Sequence, residues 1–362
     1  MHGTIGTSDV SGRDRQEGKR RQEVSKGVRP SSRKKAALAL LGGAAALGAA
    51  ALHTLKRTRD AERAHPPIGR FLTVDGVRLH YIERGQGEPL VLIHGNGSLI
   101  QDFLISGLVD RLSERYRVIV IERPGFGYST RPRRIWTPRV QARLFHQALE
   151  RLGVEKAHVL GHSWGALVAL ALAVEFPGTV QSLVLEGGYY YPTARTDVVL
   201  LTPPAIPVVG DVMRYTVSPI AARLLLPHMI EKIFQPAPVP ERFHQLFPKE
   251  LTLRPSHLRA ATEDVALMIP AATELQHHYA EVMAPVVVVA GAGDRIVSAR
   301  RHAERLHQAL PGSELLRLPG VGHMAHHTAP DMVIEAIDRA AHRAARSRAE
   351  QERRSVVEAQ WP

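Results

Sequence analysis

Cysteine is absent from the 362 residues of this sequence. Its absence excludes disulfide bonds, thiolate metal sites and a cysteine nucleophile. The cellular compartment stays open, because a protein without cysteine is compatible with either redox environment. Internal repeats are also lacking, and no G-K-[ST] follows the glycines of "GFGYS", which excludes a phosphate-binding loop there.

The central part of the chain has almost no net charge, although the whole chain carries +12. Residues 1–65 contribute +8 and residues 339–362 contribute +3, so residues 66–338 carry only +1. Nucleic-acid binding needs a basic face on the folded part of a protein. The charge distribution therefore argues against a nucleic-acid partner.

The N-terminal region combines a basic segment with a long apolar one. Residues 1–35 are basic, and we expect them to be disordered. Residues 36–55, "AALALLGGAAALGAAALHTL", contain no Lys, Arg, Asp or Glu. Because a helix rises ~1.5 Å per residue, this segment is long enough to span the ~30 Å of a hydrocarbon core. We predict a membrane anchor, with a cleaved export signal or a soluble arm as the alternatives.

Basic residues around the apolar segment predict its orientation. Ten Lys or Arg residues precede it, whereas four follow it in residues 56–65. By the positive-inside bias, the N-terminus stays in the cytoplasm and the catalytic domain lies outside it. An exported soluble protein or a cytoplasmic protein is the alternative.

Strand and helix patterns alternate from residue 66 onward. The stretch "GRFLTVDGVRLHYIERGQG" is typical of two strands joined by a turn at Asp75-Gly76. Short apolar runs that suit strands buried on both faces follow at 89–95, 116–125, 157–163, 182–188, 285–294 and 314–323. Helical patterns lie between them at 137–154, 164–177 and 298–311. The alternation predicts a mostly parallel sheet covered by helices, an α/β fold.

The alternation is interrupted between residues 189 and 283, which contain twelve prolines and broken helical patterns. We predict an inserted helical cap there, between the core segments 66–188 and 284–340. Residues 341–362 form a charged C-terminal tail. Because a cap encloses a site, we expect "IAARLLLPHMI" and "ALMIPAATEL" to line it with apolar surface.

The motif Gly161-His162-Ser163-Trp164-Gly165 stands between a predicted strand and a predicted helix. Glycines two positions before and after the serine allow the strained turn that exposes its hydroxyl. The start of the following helix directs backbone N–H groups at developing negative charge. The motif therefore predicts Ser163 as a nucleophile; the alternative is a serine that caps the helix.

A serine nucleophile needs a base and an acid that orients it. Asp294 ends one predicted strand in "GAGD" and His323 follows another in "GVGH", so both should lie at the same sheet edge as Ser163. The order serine, acid, histidine is the one expected for this arrangement. Glu186, which follows the sixth strand, is the alternative acid; otherwise it lines the cap hinge or caps a backbone group.

Backbone donors for an oxyanion are predicted at two places. The turn "HGNGS" (94–98) follows a strand and supplies the N–H of Asn96, with Gly97 as the alternative donor. The N–H of Trp164 is the second donor.

With these motifs in place, residues 69–340 resemble an α/β-hydrolase, through "HGNG", "ERPGFGYS", "GHSWGA", "GAGD" and "GVGH". The resemblance implies an eight-stranded, mostly parallel sheet with helices on both faces, a cap after strand six, and a serine–histidine–aspartate triad. Glu122 replaces the family's usual aspartate, which affects a structural turn more than the chemistry. "HGN" and the tryptophan after the nucleophile also resemble haloalkane dehalogenases, and H-x-W-G resembles epoxide hydrolases. Those enzymes use an aspartate nucleophile, so Ser163 disfavours both reactions.

Other conspicuous side chains have structural alternatives. Tyr189 and Tyr190, at the entrance to the cap, either contact substrate or pack as a hinge. His326 and His327 suggest a metal, but no carboxylate stands at ligand spacing and His323 is needed as a free base. We therefore expect no metal and no cofactor.

Together these features predict a serine hydrolase that cleaves a small or medium hydrophobic carboxylic ester through an acyl-enzyme. Amide cleavage, carbon–carbon bond hydrolysis and perhydrolysis use the same triad and stay open. A noncatalytic protein that binds a small molecule is the alternative from another class. The sequence makes no prediction about the oligomeric state.

Overall fold

The computed structural model describes residues 1–3, 32–194 and 202–360. Most of the predicted basic segment 1–35 lies outside the described residues. The chain divides into two compact units, Met1–Ala49 and Ala50–Pro362.

Helix α1, Ser32–Ala64, contains the predicted apolar segment and begins in the first unit. Within the described part of the chain it is the one helix that is long and apolar enough to cross a membrane. Its apolar window has a mean hydropathy of 1.7, and none of that window is buried. In the second unit the helix continues to Ala64, and there Thr54 and Ala61 are buried.

Eight strands form the sheet of the second unit. They are β1 Arg70–Val74, β2 Val77–Arg84, β3 Glu88–Ile93, β4 Tyr116–Ile121, β5 Ala157–His162, β6 Val180–Glu186, β7 Val286–Gly291 and β8 Glu314–Leu318. Their order across the sheet is β1-β2-β4-β3-β5-β6-β7-β8. Strands β3 to β8 are parallel, whereas β1 and β2 pair antiparallel. The eight-stranded, mostly parallel sheet predicted from the sequence is thereby confirmed.

The helices that cover this sheet come from the parts of the chain before β6 and after β7. They are α2 Ile100–Ile105, α3 Leu108–Leu112, α4 Pro138–Arg151, α5 Trp164–Glu175, α11 Arg305–Ala309, α12 Ala325–Thr328 and α13 Pro330–Gln360. Helices α4 and α5 pack on one face through side chains such as Phe145 and Leu170. Helices α2, α3 and α13 pack on the other through Phe103, Leu108 and Ile337.

Helix α5 is apolar on all sides, and every side chain from Trp164 to Ala173 is buried. A helix of this composition is stable only when neighbours surround it. It packs closely on α4 and on strands β5 and β6. The start of α5, directly after Ser163, is therefore held rigidly by the core.

A further set of helices lies in the segment of the chain between β6 and β7. We call this segment the insertion. They are α6 Val209–Met213, α7 Val217–Phe234, α8 Glu241–Leu246, α9 Lys249–Thr252 and α10 Pro255–Leu275. Short 3₁₀ turns occur at Pro203–Ala205 and Tyr279–Glu281.

The expectation that "IAARLLLPHMI" lines an enclosed site was wrong for most of its large apolar side chains. Helix α7 buries Ile230 and Phe234 against Ile105 and Phe243. The exposed large apolar side chains of this stretch are Ile220, Leu224, Leu225 and Met229. Because apolar residues occur on both sides of this helix, its composition alone did not reveal which side faces the core.

Candidate active site

Ser163 lies in a sharp turn between β5 and α5. Its backbone angles are φ 54° and ψ −116°, a left-handed conformation that is rare for residues with a side chain. Its side chain does not cap the helix, and its N–H donates to the carbonyl oxygen of Glu186 at 2.8 Å. The conformation exposes part of the side chain. A strained turn of this kind at the end of a buried strand is typical of a functional residue.

Two glycines make this turn possible because the backbone passes very close to its neighbours. A Cβ atom on Gly161 would lie 2.4 Å from the carbonyl oxygen of Gly165. A Cβ atom on Gly165 would lie 2.2 Å from the carbonyl oxygen of Ile93. Both distances are far below van der Waals contact, so only glycine fits at either position.

Gly165→Ala is therefore expected to destabilise the protein by about 1–3 kcal/mol, the usual cost of overpacking a core. For a domain of this size, we expect the unfolding midpoint to fall by about 2–4 °C for each kcal/mol. Gly178→Ala is the matched control, because a Cβ atom on Gly178 would have no neighbour within 4 Å. Equal unfolding midpoints for the two variants would contradict the steric argument.

Asp294 and His323 meet at the carboxyl ends of β7 and β8. Nδ1 of His323 lies 2.7 Å from Oδ2 of Asp294. The other carboxylate oxygen of Asp294 accepts the N–H groups of Ile296 at 2.7 Å and Val297 at 2.9 Å. Burial raises the pKa of Asp294, but His323 and the two backbone donors outweigh it and lower the pKa below its usual value. The carboxylate is thus ionised and fixed in position.

The ring of His323 borders the same strand end as Ser163. A Cβ atom on Gly187 would lie 3.3 Å from Cε1 and Nδ1 of His323, while the preceding residue accepts the N–H of Ser163. The ring of His162, next to Ser163, is centred 5.0 Å from the ring of His323. Within the described part of the chain the Ser163 hydroxyl makes no hydrogen bond, as is common before a substrate binds.

The turn after β3 approaches Ser163 closely. A Cβ atom on Gly95 would lie 3.1 Å from the Cβ of Ser163. Asn96 follows directly, and its side-chain amide donates to the carbonyl oxygen of Ala261 in α10 at 3.1 Å. Trp164 is the first residue of α5, where backbone N–H groups have no partner within the helix. The backbone at Asn96 and at Trp164 thus flanks Ser163 from two elements.

Arg123 holds this turn, although the sequence did not single it out. Its guanidinium is fully buried and donates to the carbonyl oxygens of His94 at 2.9 Å and Gly95 at 3.1 Å. It also forms an ion pair with Asp264 of α10 at 2.6 Å. Glu122 beside it accepts the N–H of Tyr128 at 2.7 Å, which agrees with a role in a structural turn. The only sequence signal for Arg123 was its place in "ERPG".

Tyr189 and Tyr190 are buried, with exposed fractions of 3% and 0%. The Tyr190 hydroxyl accepts the N–H of Gly188 at 3.2 Å. The Tyr189 hydroxyl donates to the carbonyl oxygen of Thr193 at 2.8 Å. Both hydroxyls are therefore engaged by nearby backbone, as the packing interpretation of these tyrosines requires.

Glu186 pairs with His326 rather than with His323. One of its oxygens lies 2.7 Å from Nδ1 of His326 and accepts the N–H of the same residue at 2.9 Å. Asp102 approaches His326 from the other side at 3.3 Å and His327 at 2.7 Å. We call Asp102, His162, Glu186, His326 and His327 the His326 cluster.

The His326 cluster brings carboxylates next to histidines, contrary to the argument from sequence spacing. Two groups within it have ligand atoms within 4.8 Å of one another. Asp102 precedes His327 by 225 positions and Glu186 precedes His326 by 140, so no local pattern indicates them. Burial opposes a charge on His326, but Glu186 and Asp102 raise its pKa to about 10. His326 lies between the carboxylates of Glu186 and Asp102, so we interpret the cluster as buried ion pairs.

The charges of this cluster predict a pH dependence of stability. The pKa of His326 rises from 6.5 to about 10 on folding, so its stabilisation is complete below pH 6.5 and is lost as the pH rises towards 10. Despite burial, the pKa of Glu186 falls from 4.5 to about 2, so its stabilisation is lost only in acid. Urea unfolding at pH 6 and at pH 9 measures this loss, because the raised pKa of His326 lies above both conditions while its ordinary value lies between them. Between pH 6 and pH 9 we expect the free energy of unfolding of His326→Gln to fall less than that of the wild type. An equal fall in both proteins would contradict the assignment of His326 to buried ion pairs.

A cavity of about 400 Å³ lies between the loop around Trp136 and the insertion. Arg133, Arg214, Arg259 and Leu267 are among its lining residues. Neither Ser163 nor the Asp294–His323 pair lines it. The cavity is therefore separate from the candidate active site as the structure describes it.

Comparison with known proteins agrees with this architecture. A family model described as the alpha/beta hydrolase fold matches residues 88–330, more than half of the chain. An uncharacterized protein of Mycobacterium tuberculosis is 28% identical over 304 residues, which cover 78% of this chain and 84% of that protein. Haloalkane dehalogenase 2 of the same organism is 26% identical over 291 residues, covering 75% and 94% respectively.

Among solved structures, a membrane phospholipase A described as a bacterial virulence factor superposes with a TM-score of 0.57. It is 22% identical and covers 84% of this chain and 97% of its own. At this identity the likeness concerns the fold. The sheet order and the strained turn after β5 define the class of α/β-fold hydrolases. This chain belongs to the α/β-hydrolase family.

Proposed function

We propose that the protein is a serine hydrolase that cleaves a small or medium hydrophobic carboxylic ester through an acyl-enzyme. The observation that carries the proposal is the 2.7 Å contact between His323 and Asp294 at the strand ends that also border the strained turn at Ser163. A serine becomes nucleophilic when an oriented histidine accepts its proton.

In the proposed cycle, Nε2 of His323 takes the hydroxyl proton as Oγ of Ser163 attacks the ester carbonyl. Asp294 holds Nδ1–H of the ring and stabilises the imidazolium. The backbone N–H groups of Asn96 and Trp164 stabilise the oxyanion. The carbon–oxygen bond then breaks as His323 returns the proton to the leaving alcohol. Water repeats these steps in the second half-reaction and releases the acid, so no cofactor is needed.

Dehalogenation is not proposed, although one relative is named a haloalkane dehalogenase. That chemistry needs a carboxylate nucleophile, and Ser163 stands at the corresponding place. Amide hydrolysis, carbon–carbon bond hydrolysis and perhydrolysis would use the same residues. Only assays with the corresponding substrates distinguish these reactions from ester cleavage.

Labelling with a fluorophosphonate tests the proposal, because such probes modify activated serines. We expect modification of Ser163, followed by turnover of p-nitrophenyl esters of graded chain length above that of matched amides and diketones. A protein that is folded but is neither labelled nor active would instead be a noncatalytic, ligand-binding member.

We also propose that α1 anchors the protein in a membrane with the hydrolase unit outside the cytoplasm. The apolar window of α1 and the excess of basic residues before it support this orientation. A solved structure with the same fold is named a membrane phospholipase A, which supports the proposal. Protease treatment of intact cells is expected to digest the hydrolase unit; complete protection would contradict the orientation.

A further inference from the structure

Helix α7 of the insertion presents an apolar side to solvent over three turns. The exposed side chains recur every three or four residues, so they lie on one side of the helix. They are Val217, Ile220, Ala221, Leu224, Leu225 and Met229, and we call them the α7 apolar face. Leu224 is 76% exposed.

This pattern is the reverse of that on a helix at the surface of a soluble protein, where the outward side is polar. Between Val217 and Pro227 the sequence contains one charged residue, Arg223. The inward side is apolar as well, since Ile230 and Phe234 are buried. A helix that is apolar on both sides needs a second apolar environment, and exposed patches of this kind mark binding surfaces.

More apolar side chains are exposed just before α7. Ile206, Val208, Val209 and Val212 are each about half exposed or more. Helix α6 and the chain around it thus also expose apolar side chains to solvent. The exposed apolar surface is not confined to one helix.

The position where α1 enters the second unit indicates what covers this surface. His53 and Arg57 of α1 line a small crevice together with Ile220 and Arg223 of α7. Arg57 and Arg223 both pair with Glu250, which fixes this part of α1 beside α7. All of these residues belong to the second unit. The chain that leads back to the apolar segment therefore departs next to the α7 apolar face.

Charge on this part of α1 agrees with a lipid headgroup region. Lys56 and Arg59 are exposed just after the apolar segment. Long basic side chains near the end of a membrane-spanning helix extend to the headgroup region.

We propose that the α7 apolar face inserts into the surface of the lipid bilayer that α1 spans. The proposal rests on the proposed membrane anchor and not on the proposed chemistry. Anchoring holds the hydrolase unit near the bilayer, and burial of the α7 apolar face sets which side of the unit faces the lipid. Helices at a membrane surface bind it through buried apolar area and nearby basic residues.

This docking would bring the candidate active site to a defined distance from the membrane. The carbonyl oxygen of Ile233, at the end of α7, accepts the N–H of His323 at 3.0 Å. The 18 residues of α7 span about 27 Å at ~1.5 Å each. One helix thus connects the proposed lipid surface to the loop that carries His323.

Because the protein lacks cysteine, one labelled cysteine at a time can test the docking. The full chain carrying Leu224→Cys is labelled with an environment-sensitive fluorophore and reconstituted into vesicles of phosphatidylcholine and phosphatidylglycerol. Glu155→Cys is the matched control, because Glu155 is exposed at the amino end of β5, opposite the edge of Ser163. We expect the probe at 224 to shift to the blue and to be quenched by spin-labelled lipids. We expect the probe at 155 to show neither effect.

Three results would overturn the proposal. Water-like emission at 224 in protein that floats with the vesicles would show that the face stays in solvent. A blue shift that lipid quenchers do not affect, and that disappears when the protein is diluted among vesicles, would identify a second copy as the occupant. Protein that does not float with the vesicles would refute the anchor itself, and with it the docking. As a control for folding, both cysteine variants must unfold at the same temperature as the wild-type protein.

Discussion

Replacing Ser163 by alanine is expected to lower kcat for ester hydrolysis by about 10⁵-fold or more, the range seen when a serine hydrolase loses its nucleophile. The change removes one oxygen atom from a side chain that makes no hydrogen bond within the described residues. The unfolding temperature should therefore stay close to that of the wild type. Steady-state kinetics on a p-nitrophenyl ester, with thermal unfolding beside it, give both quantities.

Ser355→Ala is the matched control for this experiment. Ser355 is an exposed serine of α13, so the same loss of a hydroxyl there should leave kcat unchanged. Activity of the Ser163 variant within a few-fold of the control would place the nucleophile elsewhere. If Ser163→Ala lost folding as well as activity, Ser163→Cys would replace it. That variant keeps a nucleophilic atom and should gain labelling by thiol reagents at that position, since the wild type has no cysteine.

Local sequence patterns predicted the fold and the residues at the strand ends. The dipeptide Asp75-Gly76 joins β1 and β2 as expected, because a hairpin turn depends on residues that are adjacent in sequence. Asp294 and His323 each follow a buried strand, so parallel strand direction was enough to bring them to one edge. The apolar runs also located β3 to β8, since strands buried on both faces contain few polar residues.

Contacts between distant parts of the chain were not predictable in this way. The pairs Arg123–Asp264 and His326–Asp102 join residues that lie more than 130 positions apart, and neither partner stands in a pattern that points to the other. Each pair attracts only because the tertiary structure brings two opposite charges together in the interior, where this attraction offsets the cost of removing both from water. The exposure of Leu224 was missed for a related reason: an apolar helix has the same sequence pattern whether protein or lipid covers it.

Asp294→Asn is expected to lower kcat by about 10⁴-fold, because an amide at this position favours the wrong tautomer of His323. Nδ1 of His323 lies 2.7 Å from the carboxylate, and two backbone N–H groups hold the other oxygen, so the geometry should survive the substitution. We expect KM and the unfolding temperature to change little. The loss should therefore appear in kcat across the pH range in which the wild type is active.

Glu186→Gln is the matched variant, since it makes the same chemical change at the other carboxylate near Ser163. Glu186 is ionised against His326, whose pKa is raised to about 10, and the substitution leaves this buried imidazolium with Asp102 as its remaining counter-charge. Removing one partner of a buried pair costs about 3–5 kcal/mol. We therefore expect lower stability and little change in kcat for the folded fraction. Both substitutions remove one negative charge, but only the loss of the acid that orients His323 should lower turnover. A catalytic loss for Glu186→Gln with a small effect for Asp294→Asn would therefore assign the orienting acid to Glu186.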